Sequence, residues 1–365
     1  MRRAQCRRPA VAQIGKIGLA WLDAVAELGV EGIAFSDWSY YLLLDFSSTI
    51  QKSYYIYTTY IEYRGLRPFA FRVGAYAPPE GIEEATGSAD LIFPERPAVA
   101  DVSRNVAGAP SRESATLFLQ TPRVLAALSY TGGKVGDVPS RQQQGMVGRL
   151  AFLGYRDADL AILFDADASY VLKPARSSGS SIASVRLSTQ PEVTVGDYRL
   201  LDTGRIAASH LAESHVEAAV DWRSLYAQGG YFHYWVTRPD PLPDAAFEGW
   251  YATIAWTLTG EKRAYDAYSA SFREPRPDAP ADSGGWGAWE LAMRYSALDL
   301  NDARGFRPIR GGRQSVVSME ANWYLTAHVR LELDEEFFTV RRSGSGGGVS
   351  PLSSSATILR SQISF

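Results

Sequence analysis

The stretch 284–302 reads GGWGAWELAMRYSALDLND and restricts the fold more than any other part of the chain. Its side chains alternate between an apolar face, with Trp289, Leu291, Met293 and Tyr295, and a second face, with Ala288, Glu290, Ala292 and Arg294. A period of two residues predicts a β-strand, because successive side chains leave a strand on opposite faces. Large aromatic and aliphatic residues on one face and charges on the other indicate a barrel that stands in lipid and encloses water.

The same alternation recurs along the chain. Clear strands are predicted at 38–46, 55–63, 69–73, 215–222, 250–258, 317–325 and 328–334, and weaker ones near 115–131, 145–155, 158–170 and 181–190. Tight connections alternate with long stretches rich in Gly, Ser, Pro or Gln, as in outer-membrane barrels. No apolar run approaches the roughly 20 residues of a membrane helix. We therefore predict an all-β, transmembrane antiparallel barrel of about 16 strands.

The composition leaves a second fold class open. The chain has 20 Tyr, 9 Trp and 15 Phe but a mean hydropathy of -0.16, as expected if every second strand residue faces a polar lumen. A soluble β-sandwich that acts as a binding module gives the same alternation and is the alternative. The net charge of -3 indicates no nucleic-acid partner. The basic residues are 32 arginines and five lysines, a bias that suits a lumen handling anions but that a GC-rich genome also produces.

No residue pattern predicts an enzyme or a cofactor. Ser, His and Asp do not occur at the spacing that a nucleophile, its base and an orienting group would need. The single cysteine, Cys6, excludes an internal disulfide. The histidines have no cysteine pair beside them; they are His210, His215, His233 and His328. We expect no catalytic residue, no metal site and no cofactor.

A long polar stretch covers residues 78–112 and contains Pro78, Pro79, Pro94, Pro97 and Pro110. Loops of this length are uncommon in a compact domain and are usually functional. We expect this stretch to fold into the lumen as a constriction loop. The barrel itself is expected to extend over residues 25–365.

The two ends of the chain carry different signals. Residues 1–24 begin with four arginines, but charged residues interrupt the apolar stretch that a signal peptide requires. We interpret this segment as uncertain, with a misassigned start or missing first strands, and expect the native chain to be longer. The last residues, ILRSQISF, end in Phe365 and resemble the final strand by which outer-membrane barrels are recognised for assembly.

Several long motifs together resemble the phosphate-selective porin O and P family. They occur in the family's order and are SDWSYYLLLDFS (36–47), GIEEATGSADLIFPERP (81–97), FEGWYATIAWTLTGEKRAY (247–265), GAWELAMRYSALDLND (287–302) and ANWYLT (321–326). The resemblance implies a 16-stranded barrel in the bacterial outer membrane, a homotrimer surrounded by lipid. It also implies transport of phosphate and related anions through a lumen lined by basic residues, because a ring of fixed donors replaces the hydration of an anion.

The resemblance also assigns expected site residues. Arg96 matches the closing arginine of the constriction loop, Ser88 a loop serine, and Arg72 a basic position on the lumen face of its strand. The alternation places further arginines on the same face, so we predict an anion path that includes Arg72, Ser88, Arg96, Arg149, Arg294 and Arg330.

The constriction loop departs from the family pattern. Where phosphate-binding members have lysines, this chain has Glu84 and Ala89, and Gly87 replaces a hydroxyl residue. Glu83 and Glu84 place two carboxylates near the expected constriction, where they would repel phosphate. The sequence therefore predicts a porin whose phosphate selectivity is lost or changed.

Overall fold

The computed structural model describes residues 27–45, 56–109, 112–135, 142–176, 182–193, 199–304, 308–343 and 349–364. One antiparallel sheet of fifteen strands dominates these residues. Its strands are β1 (Glu27–Ala34), β2 (Trp38–Asp45), β3 (Ile56–Leu66), β4 (Phe69–Ala75), β5 (Arg112–Gln120), β6 (Val124–Lys134), β7 (Gln144–Arg156), β8 (Leu160–Lys173), β13 (His210–Trp222), β14 (Leu225–Thr237), β15 (Ala245–Thr257), β18 (Ala288–Asp302), β19 (Ile309–Tyr324), β20 (Val329–Ser343) and β21 (Val349–Ile363).

Short elements lie outside this sheet. They are the helices α1 (Ile82–Ala85) and α2 (Ala98–Arg104), a 3-10 helix (Ala281–Ser283), and the two-residue strands β9 (Ser184–Val185), β10 (Ser188–Thr189), β11 (Leu201–Asp202), β12 (Ile206–Ala207), β16 (Tyr265–Asp266) and β17 (Ser271–Phe272). Among the described residues, no helix has the length and apolarity needed to cross a membrane.

Each strand of the large sheet pairs with the strands before and after it in the sheet, in an uninterrupted antiparallel meander. This arrangement confirms the predicted fold class. Within the described residues, the large sheet has fifteen strands. The sequence predicts about 16, because single-chain bacterial barrels usually have an even number of strands. The uncertain segment 1–24 and Phe365, the terminal residue of the expected final strand, lie outside the described residues.

The two faces of the sheet differ as the alternation predicted. On β18, Trp289 and Leu291 are 37% and 49% exposed, whereas Glu290 and Arg294 are each 1% exposed. Trp289 stacks on its cross-strand partner Trp323 with ring centroids 4.9 Å apart. The large apolar side chains therefore form the outer surface and the ionic side chains face the interior, the reverse of a soluble protein and the pattern of a membrane barrel.

Long connecting segments start from both ends of the barrel. Tight turns join β3 to β4, β5 to β6, β7 to β8 and β13 to β14 at one end, and the inward segment 76–109 begins at the opposite end. The segment 258–287 is the exception, because it connects β15 to β18 at the end of the tight turns. Both segments fill the interior, where Ile82, Ile92 and Phe93 of the first pack with Phe272 of the second.

Candidate functional site in the barrel interior

The inward segment 76–109 is the constriction loop that the sequence predicts. Near its start, Gly81 lies against the barrel wall. The Gly81 N–H donates to Asp167 Oδ1 at 3.0 Å, and the N–H of Ile82 donates to Glu217. Gly81 has φ 57, and a Cβ there would lie 2.4 Å from Glu217 Oε2. Only glycine adopts this left-handed conformation without cost and allows so close an approach. Two backbone amides, together with the Ser169 hydroxyl that donates to Glu80 Oε1 at 3.3 Å, thus hold the start of the loop to the wall.

The two loop glutamates that the sequence singles out, Glu83 and Glu84, both contact protein groups. Glu84 Oε2 lies 3.2 Å from Arg96 Nε and 3.2 Å from Arg104 Nε. Gln228 Nε2 donates to Glu83 Oε2 at 2.9 Å. Burial raises the pKa of Glu83, while Arg294 and Arg96 lower it. Glu84 therefore adds little uncompensated charge to the constriction, although the sequence alone indicated two bare carboxylates.

The two loop residues assigned to the anion path have different surroundings. Arg96 Nη2 donates to the carbonyl oxygen of Thr86 at 3.0 Å, and Arg96 Nε donates to the carbonyl oxygen of Glu83 at 3.2 Å. These contacts close the loop on itself. Ser88 is exposed in the turn that follows α1.

Arg330, on β20, contacts the inward loop rather than open lumen. Its guanidinium donates to the carbonyl oxygens of Leu91 and Ile92, each at 2.7 Å. It also donates to Asn322 Oδ1 at 2.7 Å and lies 3.5 Å from Glu332. Each of its nitrogens has an acceptor from the protein, so few donors remain for a solute.

Arg294, on β18, is held in the same way. Its Nη2 lies 2.7 Å from Glu192 Oε2, in the connection between β8 and β13, and its Nη1 donates to the carbonyl oxygen of Glu95 at 2.9 Å. The guanidinium carbon lies 4.3 Å from the ring centroid of Phe93, close enough for a cation–π contact. Arg294 thus joins two inward segments to the wall.

Arg149 and Arg72 contact the second inward segment, 258–287. Arg149 Nη2 lies 2.6 Å from Asp165 Oδ2, and its Nη1 donates to the carbonyl oxygen of Ser269 at 2.8 Å. Arg72 lies 2.6 Å from Glu62 Oε2 and donates to the hydroxyl of Tyr268. The structure therefore brings the predicted arginines to the interior but gives each of them a protein partner.

The predicted anion path leaves out several residues that lie in the interior. Arg263, in the LTGEKR motif, makes two 2.8 Å contacts with the carboxylate of Glu290. Glu213, His215 and Glu217 lie on the inward face of β13 and are buried. The sequence ESHVE at 213–217 indicated these residues, because every second position is ionisable. Glu80 lies beside them in the structure but is distant in sequence, so spacing could not identify it.

Carboxylates outnumber guanidinium groups among the buried side chains of the described residues. Fifteen aspartates and glutamates are buried, against five arginines. Four of them form an acidic ladder across β19 and β20, namely Glu320, Glu332, Asp334 and Glu336. Both carboxylate oxygens of Glu320 and of Asp334 lack a hydrogen-bond partner among the protein groups. The ionisable side chains buried in the interior are therefore predominantly acidic.

Relatives were found at the level of sequence. The chain is 29% identical over 326 residues to an uncharacterized protein of Caulobacter vibrioides, an alignment that covers 84% of this chain and 60% of that protein. It is 26% identical over 333 residues to Porin O of Pseudomonas aeruginosa, covering 84% of this chain and 74% of that protein.

Solved structures share the fold at low sequence identity. OmpT of Vibrio cholerae in its trimer form matches with a TM-score of 0.52 and 9% identity, covering 93% of this chain and 91% of that chain. An anion-selective porin from Comamonas acidovorans matches with a TM-score of 0.54 and 10% identity, covering 93% and 89%. These similarities show that the chain shares the fold of these two outer-membrane proteins.

The sequence comparison with protein families covers nearly the whole barrel. The model described as phosphate-selective porin O and P matches residues 25–360, which include both inward segments and all fifteen strands of the large sheet except the last residues of β21. The chain therefore belongs to the phosphate-selective porin O and P family of outer-membrane porins.

Proposed function

We propose that this protein is a porin that conducts small hydrophilic solutes across the outer membrane without a strong preference for phosphate. One observation carries this proposal: among the described residues, the arginines of the predicted path that lie on strands each contact a carboxylate or a carbonyl oxygen of the protein, while the carboxylates of Glu320 and Asp334 on β19 and β20 have no hydrogen-bond partner. A phosphate ion loses its hydration shell in a narrow pore only if free donors replace it. The paired guanidinium groups offer few such donors.

The acidic ladder defined by Glu320, Glu332, Asp334 and Glu336 supports the same proposal. Two unit charges 4 Å apart interact by about 4 kcal/mol at an effective dielectric constant of about 20, so a few unpaired carboxylates weigh heavily in a confined path. They attract cations and repel anions. We therefore expect the channel to be weakly selective or to favour cations.

Reversal potentials in a planar lipid bilayer test this proposal. Under a tenfold KCl gradient, we expect a potential whose sign indicates equal or greater permeability for K⁺ than for Cl⁻. Phosphate added at millimolar concentration should leave the chloride current unchanged. Strong anion selectivity together with block by low phosphate would contradict the proposal.

Conduction of small anions is the second candidate function. It is supported by the family description and by the arginines that face the interior, for which we propose the path Arg72, Ser88, Arg96, Arg149, Arg294 and Arg330. In this case loop movement would free some guanidinium groups from their protein partners. Replacing Arg149 or Arg294 by Met would then reduce anion permeability, whereas the first candidate predicts little change in permeability.

We further propose that the protein is a homotrimer embedded in outer-membrane lipid. The trimer form of the Vibrio cholerae porin supports this proposal, as does the apolar outer surface of this barrel. Electrophoresis with and without boiling tests it, because a porin trimer migrates as a large species until it is heated. A soluble β-sandwich, the alternative from the sequence, would show no such shift.

A further inference from the structure

A histidine and four carboxylates meet where the inward loop contacts the barrel wall. Glu213, His215 and Glu217 follow one another on the inward face of β13, and Asp167 of β8 is the cross-strand partner of His215. Glu80 reaches this group from the inward loop. The side chains of all five are buried. Three chain segments that are distant in sequence therefore contribute ionisable groups to one site.

The imidazole of His215 is held in a fixed orientation. Its Nδ1 lies 2.8 Å from Glu213 Oε1, and its ring stacks on Phe232 with centroids 4.4 Å apart. Its Nε2 makes no hydrogen bond, although it lies 3.2 Å from Asp167 Oδ2. A metal-ligating histidine typically has a carboxylate beside its second ring nitrogen, as Asp167 is beside Nε2 here, so Nδ1, on the side of Glu213, is the nitrogen that would face an ion.

The charge of the cluster is only partly compensated, by His215 and by Arg149, the cross-strand partner of Asp167 on β7. Within the described residues, the ion pairs of Asp167, Glu213 and Glu217 are made with His215 alone, and Glu80 has none. A proton on His215 would cancel one of four negative charges. Buried charges without a counter-ion are costly.

We propose that Glu80, Glu213 and His215 bind a divalent transition-metal ion such as Zn²⁺. One ligand atom from each of the three lies within 4.8 Å of the others. Imidazole nitrogen favours Zn²⁺, Ni²⁺ or Cu²⁺ over Mg²⁺ and Ca²⁺, and carboxylate oxygens complete mixed coordination spheres of these ions. The buried Glu213 Oε2 has no hydrogen-bond partner among the protein groups and is therefore available to an ion.

This metal ion would cross-link the inward loop to the wall. Glu80 precedes Gly81, whose N–H contacts β8, whereas Glu213 and His215 belong to the sheet. A bound ion would thus restrain the loop in addition to the hydrogen bonds already present. The site would bind its ion whichever solutes the channel conducts, so its test is independent of the proposed selectivity.

Zn²⁺ binding to the full chain, purified and folded in detergent after treatment with a chelator, tests this proposal. Isothermal titration calorimetry should give one Zn²⁺ per chain, and equilibrium dialysis with metal analysis should give the same stoichiometry. We expect Glu80→Gln and His215→Gln each to weaken binding more than about tenfold. The upward shift of the unfolding temperature that Zn²⁺ causes in the parent protein should be lost in both variants.

The matched control is Glu320→Gln, which removes a buried carboxylate from the acidic ladder, far from any imidazole. It should bind Zn²⁺ as the parent does. The proposal is overturned if the parent binds no stoichiometric Zn²⁺, if His215→Gln and Glu80→Gln bind normally, or if Glu320→Gln loses binding equally. Should His215→Gln fail to give the heat-modifiable folded form, Glu80→Gln decides the question, because Glu80 lies outside the sheet.

Discussion

Arg330 Nη1, on the barrel wall, donates a hydrogen bond of 2.7 Å to the carbonyl oxygen of Leu91 in the inward loop. A residue that the sequence assigns to an anion path therefore anchors the constriction. The loop is fixed by contacts with guanidinium groups as well as by its own helices α1 and α2.

Replacement of Arg330 by Met should release part of the loop. Hydrogen bonds to charged groups contribute about 1.5–3 kcal/mol each, and Met removes the bonds to Leu91 and Ile92 together. We expect larger open-channel current noise and a higher single-channel conductance. Arg313→Met is the matched control, because Arg313 is exposed and pairs with Asp299 on the outer surface. Equal noise in the two variants would refute the anchoring role.

Glu84→Gln should increase permeability to anions. Glu84 pairs with both Arg96 and Arg104, so its neutralisation removes the negative charge that these two guanidinium groups share at the constriction. The reversal potential under a KCl gradient should move toward the chloride equilibrium potential. Glu83→Gln should have a smaller effect, because Glu83 accepts a hydrogen bond from Gln228 and has no direct ion pair among the described residues. An unchanged potential in Glu84→Gln would show that these arginines do not reach the solute path.

Neutralising the acidic ladder should reduce any cation preference. In Glu320→Gln with Asp334→Asn, two buried carboxylates without hydrogen-bond partners are removed from the interior. The ratio of K⁺ to Cl⁻ permeability should fall severalfold, and more at low ionic strength because salt screens the field. Glu335→Gln, on the opposite face of β20, is the control and should leave the ratio unchanged.

The current should depend on pH through Glu274, in the second inward segment. Burial raises the pKa of Glu274 to about 7, with Asp90 acting in the same direction and Arg330 opposing it. Its folded-state pKa thus exceeds its unfolded value, so its contribution to stability is lost as pH rises toward 7 and is present at lower pH.

Between pH 8 and pH 6 the interior should therefore lose one negative charge at this position, and K⁺ selectivity should decrease. Reversal potentials measured across this range check the expectation, with Glu274→Gln as comparison. The Glu274→Gln variant should lack the part of the change in reversal potential that is centred near pH 7. Identical titrations of the variant and the parent would exclude Glu274 as the responsible group.

Gly81→Ala should destabilise the folded loop. A left-handed conformation costs about 1–2 kcal/mol for a residue with a Cβ, and this Cβ would also lie 2.4 Å from Glu217 Oε2. The midpoint of the heat-induced mobility shift should fall by several degrees. Gly87→Ala is the control, because the nearest atom to its Cβ would be Asp90 Oδ2 at an ordinary 3.5 Å.

The strands themselves follow from local sequence. The alternation in 284–302 and in 317–325 identified β18 and β19 and the side chains that face the interior, because the period of a strand is a property of neighbouring residues. The same reasoning failed at 181–190, where only the short strands β9 and β10 form, outside the large sheet. An alternating pattern of that length does not reveal whether a barrel strand is available as its partner.

By itself, the sequence determined the barrel, its apolar exterior, its charged interior and the presence of an inward loop, although the predicted stretch 78–112 extends too far because Arg112 already begins β5. Tertiary structure decided what the interior charges do. Arg149 contacts Ser269, Arg330 contacts Leu91, and Glu80 joins His215, across separations of 120, 239 and 135 residues. Periodicity fixes the face on which a side chain lies but not the loop that folds against it, so the pairing of these charges became visible only when the inward segments were in place.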